Sequence, residues 1–143
     1  MLLIGENLNV ISKKTANALK QKDASTIKEM ALAQADAGMD MIDINLGPAR
    51  KDGPELMEWV VKTVQDVVDL PLSLDTTNID AIEAGLKVHR GKALINSISA
   101  RPERIEALMP LAKRYDAGFI GLMLGTDGIP RDANERGFLA AQI

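Results

Sequence analysis

The chain has 143 residues, one domain's worth or less, and 46% of them are hydrophobic, which supports a buried core and excludes a disordered chain. A net charge of −3 and 3% aromatic content leave no electrostatic footprint or stacking platform for nucleic acid, and no charge attraction to an anionic membrane surface. With no cysteine, disulfides, thiolate metal sites and a catalytic thiol are excluded within this stretch. Met1-Leu2-Leu3-Ile4-Gly5-Glu6 lacks the basic start and long apolar run of a signal peptide, and no run approaches membrane-spanning length. The expected setting is the cytoplasm.

In chain order, the first strand is expected at Leu2–Glu6, followed by a short helix over Lys13–Lys20. Asp23 caps a helix from Ala24 to Ala37, which Gly38 stops. A second strand follows at Met41–Asn45. Pro54 opens a helix whose stripe is Leu56, Met57, Val60, Val61, Val64, Val67 and Val68, one apolar face turned to a sheet. The third strand is Leu72–Asp75. Asn78 caps the next helix, with Ile79, Ile82 and Leu86 inward and Gly91 past its end. A fourth strand, Ala93–Ser97, leads to a helix opened by Pro102, in which Pro110 predicts a kink. The fifth strand is Gly118–Met123, and a last helix begins near Asp132 and is still running at Ile143.

Short apolar runs alternating with amphipathic ones are the pattern of βα units on a parallel sheet. An open doubly wound sheet normally carries a Gly-rich turn after its first strand, whereas here that turn reads Glu6-Asn7-Leu8-Asn9. The fold class is therefore α/β, a (β/α)₈ TIM barrel. A complete one takes about 250 residues. Residues 1–143 supply its N-terminal five strand–helix units, the last incomplete.

Polar residues gather at the strand ends: Glu6-Asn7-Leu8-Asn9, Asp43-Ile44-Asn45, Asp75-Thr76-Thr77-Asn78 and Asn96-Ser97-Ile98-Ser99. In such a barrel this is the end where ligands bind. Asp75 and Asn96 are assigned to a ligand. Glu6, Asp43 and Asn45 serve equally well as partners of loop backbone groups. His89, beside Arg90 in a last helical turn where a cation suits the helix dipole, is given a structural rather than a catalytic role. Trp59 reads as outer packing at a subunit contact, and the seven methionines as core filler. No metal site is expected from the His and Glu spacings; only an all-oxygen magnesium site stays open.

At these strand ends the chain resembles the pterin-binding barrels. The match is carried by Ile4-Gly5-Glu6-Asn7-Leu8-Asn9, Ile42-Asp43-Ile44-Asn45-Leu46-Gly47-Pro48, Leu74-Asp75-Thr76-Thr77-Asn78, Ile82-Glu83-Ala84-Gly85-Leu86-Lys87 and Ile95-Asn96-Ser97-Ile98-Ser99. Met57-Glu58-Trp59 and Gly128-Ile129-Pro130-Arg131-Asp132 resemble the methyltetrahydrofolate:corrinoid/iron–sulfur protein methyltransferases in particular. The resemblance implies transfer of a methyl group between N5 of methyltetrahydrofolate and the cobalt of a corrinoid (cobalamin) carried by a partner protein. It implies that Asp75 and Asn96 hydrogen-bond the pterin ring, with Glu6, Asn9, Asp43 and Asn45 near the same site. A homodimer of the full-length protein is expected.

The departures are informative. Many relatives have an arginine where this chain has Asn7. The family's second pterin-binding aspartate and the asparagine at the reacting nitrogen belong to strands six and seven, so catalytic residues are expected beyond Ile143. Residues 1–143 alone are then expected to be inactive, and an inactive truncated barrel is one alternative. The other is a dihydropteroate synthase-like pterin enzyme. Its Gly-Gly-Glu-Ser-Thr-Arg type loop is replaced here by Asn45-Leu46-Gly47-Pro48.

Overall fold

Period-two alternation gives each central strand one apolar and one polar face, and this split organises the molecule. The computed structural model describes residues 1–48 and 51–143. Its elements run β1 (Ile4–Asn9), α1 (Lys13–Gln21), α2 (Ala24–Asp36), β2 (Met41–Gly47), α3 (Gly53–Gln65), β3 (Leu72–Thr76), α4 (Ile79–Val88), β4 (Leu94–Ser99), α5 (Pro102–Arg114), β5 (Gly118–Leu122) and α6 (Ala133–Ala140). The strands pair in parallel in the order β1-β2-β3-β4-β5. Order and direction are those expected for the first five strands of a (β/α)₈ barrel.

Ile42 and Ile44 of β2, Leu72 and Leu74 of β3 and Ile95 of β4 share the helix-facing side, all at most 1% exposed. Against them lie Met57, Val60, Val61 and Val64 of α3, Ile82 of α4 and Leu108 of α5. Each such side chain contributes about 1.5–3 kcal/mol of burial. A Cβ at Gly85 would stand 2.8 Å from Met57 Cγ and 2.9 Å from Leu74 Cδ1, so α4 seats this closely only because position 85 has no side chain.

Helix boundaries follow local chemistry. Asp23 Oδ1 accepts from the Thr26 N–H at 3.2 Å, and Asn78 Oδ1 accepts from the Ala81 N–H at 3.2 Å. Gly38 ends the α2 segment at φ 81°. Pro110 removes one backbone donor, yet α5 continues through it as a single helix. The last helix, capped by Asp132, stops at Ala140 rather than running through Ile143.

The first strand differs from expectation in a way that matters for the rim. Pairing puts Gly5 opposite Ile42 but Leu8 opposite Ile44, a one-residue bulge that keeps Leu8 buried and brings Asn9 beside Asn45. β1 therefore runs from Ile4 to Asn9, and Glu6 lies inside it rather than at its end. β2 extends to Gly47 and β4 to Ser99, each two residues beyond the expected stop. Trp59 is half-buried against the core cluster.

His89 is structural, as expected, but as a neutral acceptor rather than a cation. It is the C-cap of α4, and its Nε2 accepts a hydrogen bond from the Leu72 N–H at 3.1 Å, where β3 begins. An imidazolium has no acceptor, so this contact requires the neutral ring, and burial lowers the His89 pKa. A depressed histidine pKa leaves stability intact above the ordinary value of 6.5 and erodes it as pH falls below that value, because the unfolded chain takes the proton first. Protonation in the fold would strand the Leu72 N–H at a cost of about 1–3 kcal/mol. Between pH 7 and pH 5 the His89 share of the urea-unfolding stability is expected to fall, so His89→Gln, which keeps an acceptor but no titrating group, is expected to shift the slope of stability against pH in favour of the acid side. An unchanged slope would remove His89 from this role.

Candidate functional site

The face of the sheet opposite the helices carries Glu6, Asp43, Asn45, Ser73, Asp75 and Asn96. Parallel pairing aligns Asn45 with Asp75 and Asp75 with Asn96, so three polar residues from three adjacent strands stand in one row. Below them Asp43 pairs with Ser73. Neighbouring strands lie about 4.8 Å apart. Such side chains touch without any loop having to move.

The contacts sort these residues into two kinds. Asp43 is buried, and its Oδ1 accepts from Ser73 Oγ and, at 3.1 Å, from Asn96 Nδ2. Asn45 donates through Nδ2 to Asp75 Oδ2, while its Oδ1 accepts from the Gly47 N–H at 2.9 Å. Asn45 and Asp43 thus each use one hydrogen bond to orient Asp75 and Asn96, respectively. Those two line a cavity of about 330 Å³ together with Thr76, Thr77, Ser97, Ser99, Arg101 and Arg104. Asn9 turns its Oδ1 to the Ile11 N–H at 2.9 Å, a local turn contact away from this cavity. Glu6 is exposed, on the same side of the sheet.

Three carboxylates on one face interact. Burial raises the pKa of Asp43, with the Glu6 charge adding to the rise, against the lowering effect of the bonds from Ser73 and Asn96. Asp75 is pushed up to about 6 by burial first and then by the charges of Asp43 and Glu6, with the Asn45 bond opposing. The site holds negative charge at a standing cost and favours a ligand that brings hydrogen-bond donors. Among the described residues, no three His, Cys, Asp or Glu side chains are grouped to hold a metal ion, and no helix is long and apolar enough to cross a membrane.

Two participants escaped the sequence reading. Ser73 breaks an otherwise apolar Leu72-Ser73-Leu74, two residues before Asp75 and hence on its face; that spacing was the available signal. Arg104 lies in a helical first turn, where nothing in the sequence marks it as reaching the rim.

The family model described as "Pterin binding enzyme" matches residues 5–140. The methylcorrinoid:tetrahydrofolate methyltransferase of Eubacterium limosum is 29% identical over 138 residues, covering 95% of this chain and 51% of its own length. The chain therefore spans about half the length of this relative.

The charge arrangement yields a stability prediction. A raised carboxylate pKa means that ionised Asp75 costs stability above about pH 6, a cost absent below the ordinary value of 3.8. Asp75→Asn retains an oxygen for Asn45 and removes the charge. After discounting for solvent screening, the ligand-free protein is expected to gain about 1 kcal/mol at pH 7.5, or roughly 3 °C in Tm. The gain should vanish near pH 4. Calorimetry across that range checks it; a variant less stable at pH 7.5 would show that Asp75 is a structural cap.

Proposed function

This chain belongs to the pterin binding enzyme family, and we propose that it forms the pterin-recognising side of a folate–corrinoid methyltransferase. The reaction moves a methyl group between N5 of methyltetrahydrofolate and the cobalt of a corrinoid held on a partner protein. The name of the Eubacterium limosum relative supports this choice among pterin chemistries. The observation that carries the reading is the Asp75–Asn96 pair, aligned by strand register and facing one cavity.

A pterin presents a ring N–H beside an exocyclic NH₂. Ionised Asp75 is an acceptor with two oxygens for that edge, and Asn45 fixes the plane of its carboxylate. Asn96 offers an amide that both donates and accepts. One N–H is held by Asp43, which leaves Oδ1 and the second N–H for the mixed edge of the ring. The donor set therefore fits a pterin. The corrinoid, when its partner docks, supplies the metal that exchanges the methyl group. The residues here hold and orient the ring, so that its N5 is presented at a fixed height above the rim. Displacement of a tertiary amine also needs hydrogen bonding or proton donation to N5. We assign that part to residues outside this chain.

Since the pterin donors require the ionised carboxylate, the proton on Asp75 must leave before or during binding. Tetrahydrofolate affinity of the full-length protein, measured by titration calorimetry, is expected to be flat above pH 7. Below about pH 6 it should weaken roughly tenfold per pH unit. Asp75→Asn is expected to lower affinity at pH 7.5 by roughly ten- to a hundredfold, from loss of a charge-assisted bond, and to abolish this pH dependence. Unaltered affinity in the variant would refute the assignment.

A further inference from the structure

The ladder between β3 and β4 ends at the Asp75–Asn96 pair, whereas β2–β3 pairing continues to Thr76 and β4–β5 pairing to Leu122. Just past the two residues that face the cavity, the strands that carry them lose their mutual backbone bonds. Arg104 spans this gap from outside. From the first turn of α5 its Nη1 donates to the Thr77 carbonyl at 2.9 Å and its Nη2 donates to the Ser97 carbonyl at 3.1 Å. Thr77 is two residues after Asp75, and Ser97 follows Asn96 directly. The guanidinium is half-buried and lines the same cavity as all four of these residues.

We propose that Arg104 is a positioning residue for pterin recognition, its two-pronged guanidinium bridging the Thr77 and Ser97 carbonyls to fix the spacing of Asp75 and Asn96. The role rests on the reading of this rim as a pterin site. A guanidinium suits the task because its Nη donors are held in a rigid plane and reach two acceptors at once; a lysine presents one point charge on a flexible stem. The effect is one of spacing, which Arg104→Lys separates from charge, because lysine keeps the charge and loses the two-pronged geometry.

The test is a double-mutant cycle on tetrahydrofolate affinity in the full-length protein, using Arg104→Lys and Arg104→Ala, each alone and combined with Asp75→Asn. Either Arg104 variant alone is expected to weaken binding about tenfold, since misplacing one partner of a two-point contact forfeits much of it. In the Asp75→Asn background the same changes should cost threefold or less, because the spacing they disturb then serves a contact already lost. Ligand-free Arg104→Lys, which keeps the charge and helical propensity, should show faster amide hydrogen exchange in the loops after β3 and β4. Additive losses in the cycle, or a lower Tm with unchanged affinity, would overturn the role while leaving the pterin reading in place. If the unaltered protein binds no tetrahydrofolate, both fall together. Unchanged loop exchange in Arg104→Lys would overturn the bridge on its own.

Discussion

Strand register is the constraint on which the polar chemistry of this chain depends. Asn45, Asp75 and Asn96 meet because β2, β3 and β4 pair in parallel with those residues in one row. A one-residue slip of β3 would turn Ser73 and Asp75 toward the helices and put Leu72 and Leu74 on the rim face. The fully buried Leu72 and Leu74 oppose that slip, since each is covered by helix side chains that a polar replacement would desert. The apolar face thus fixes the register, and the register fixes the site.

The site in turn works against the fold. Asp43 is buried and Asp75 partly so, beside an exposed Glu6, and burial and mutual repulsion both disfavour their ionised forms. Hydrogen bonds from Ser73, Asn96 and Asn45 offset this in part. What remains is an unfavourable charge that a ligand bringing donors would offset. Amides in place of these carboxylates would remove that cost.

Much of this was legible in the sequence. The helix caps Asp23 and Asn78 and the stop at Gly38 announce themselves by residue type, because few side chains satisfy those backbone positions. The placement of Asp75 beside Asn96 was legible because each is a polar residue near the end of an apolar strand. The bulge in β1 was not, since Glu6-Asn7 contains no glycine or proline to mark it, and only pairing with β2 reveals the extra residue. Nor was the division of labour among the strand-end residues. Asn45 and Asn9 are both asparagines that follow a buried aliphatic residue near a strand end, yet one orients Asp75 and the other closes a local turn. His89 misled for a related reason: helix position suggested a cation, but the tertiary partner, the Leu72 N–H, demands a neutral acceptor. Local pattern fixes which groups are present, and only packing decides whom they face.

The way the rim is held open follows from the same logic. Extending the β3–β4 ladder past Asp75 and Asn96 would be the simplest means of fixing their spacing. It would also keep the two strands at about 4.8 Å along the whole mouth. Ending the ladder at that pair lets the loops part. Their carbonyls then need donors, and a helix-borne guanidinium supplies one to each. Because α5 is anchored by Leu108, Leu111 and Ala112 in the core, the spacing of the two loops is referred to the rigid part of the molecule. A site whose strands diverge can remain preorganised in this way, with rigidity supplied from the helix layer and access preserved from above.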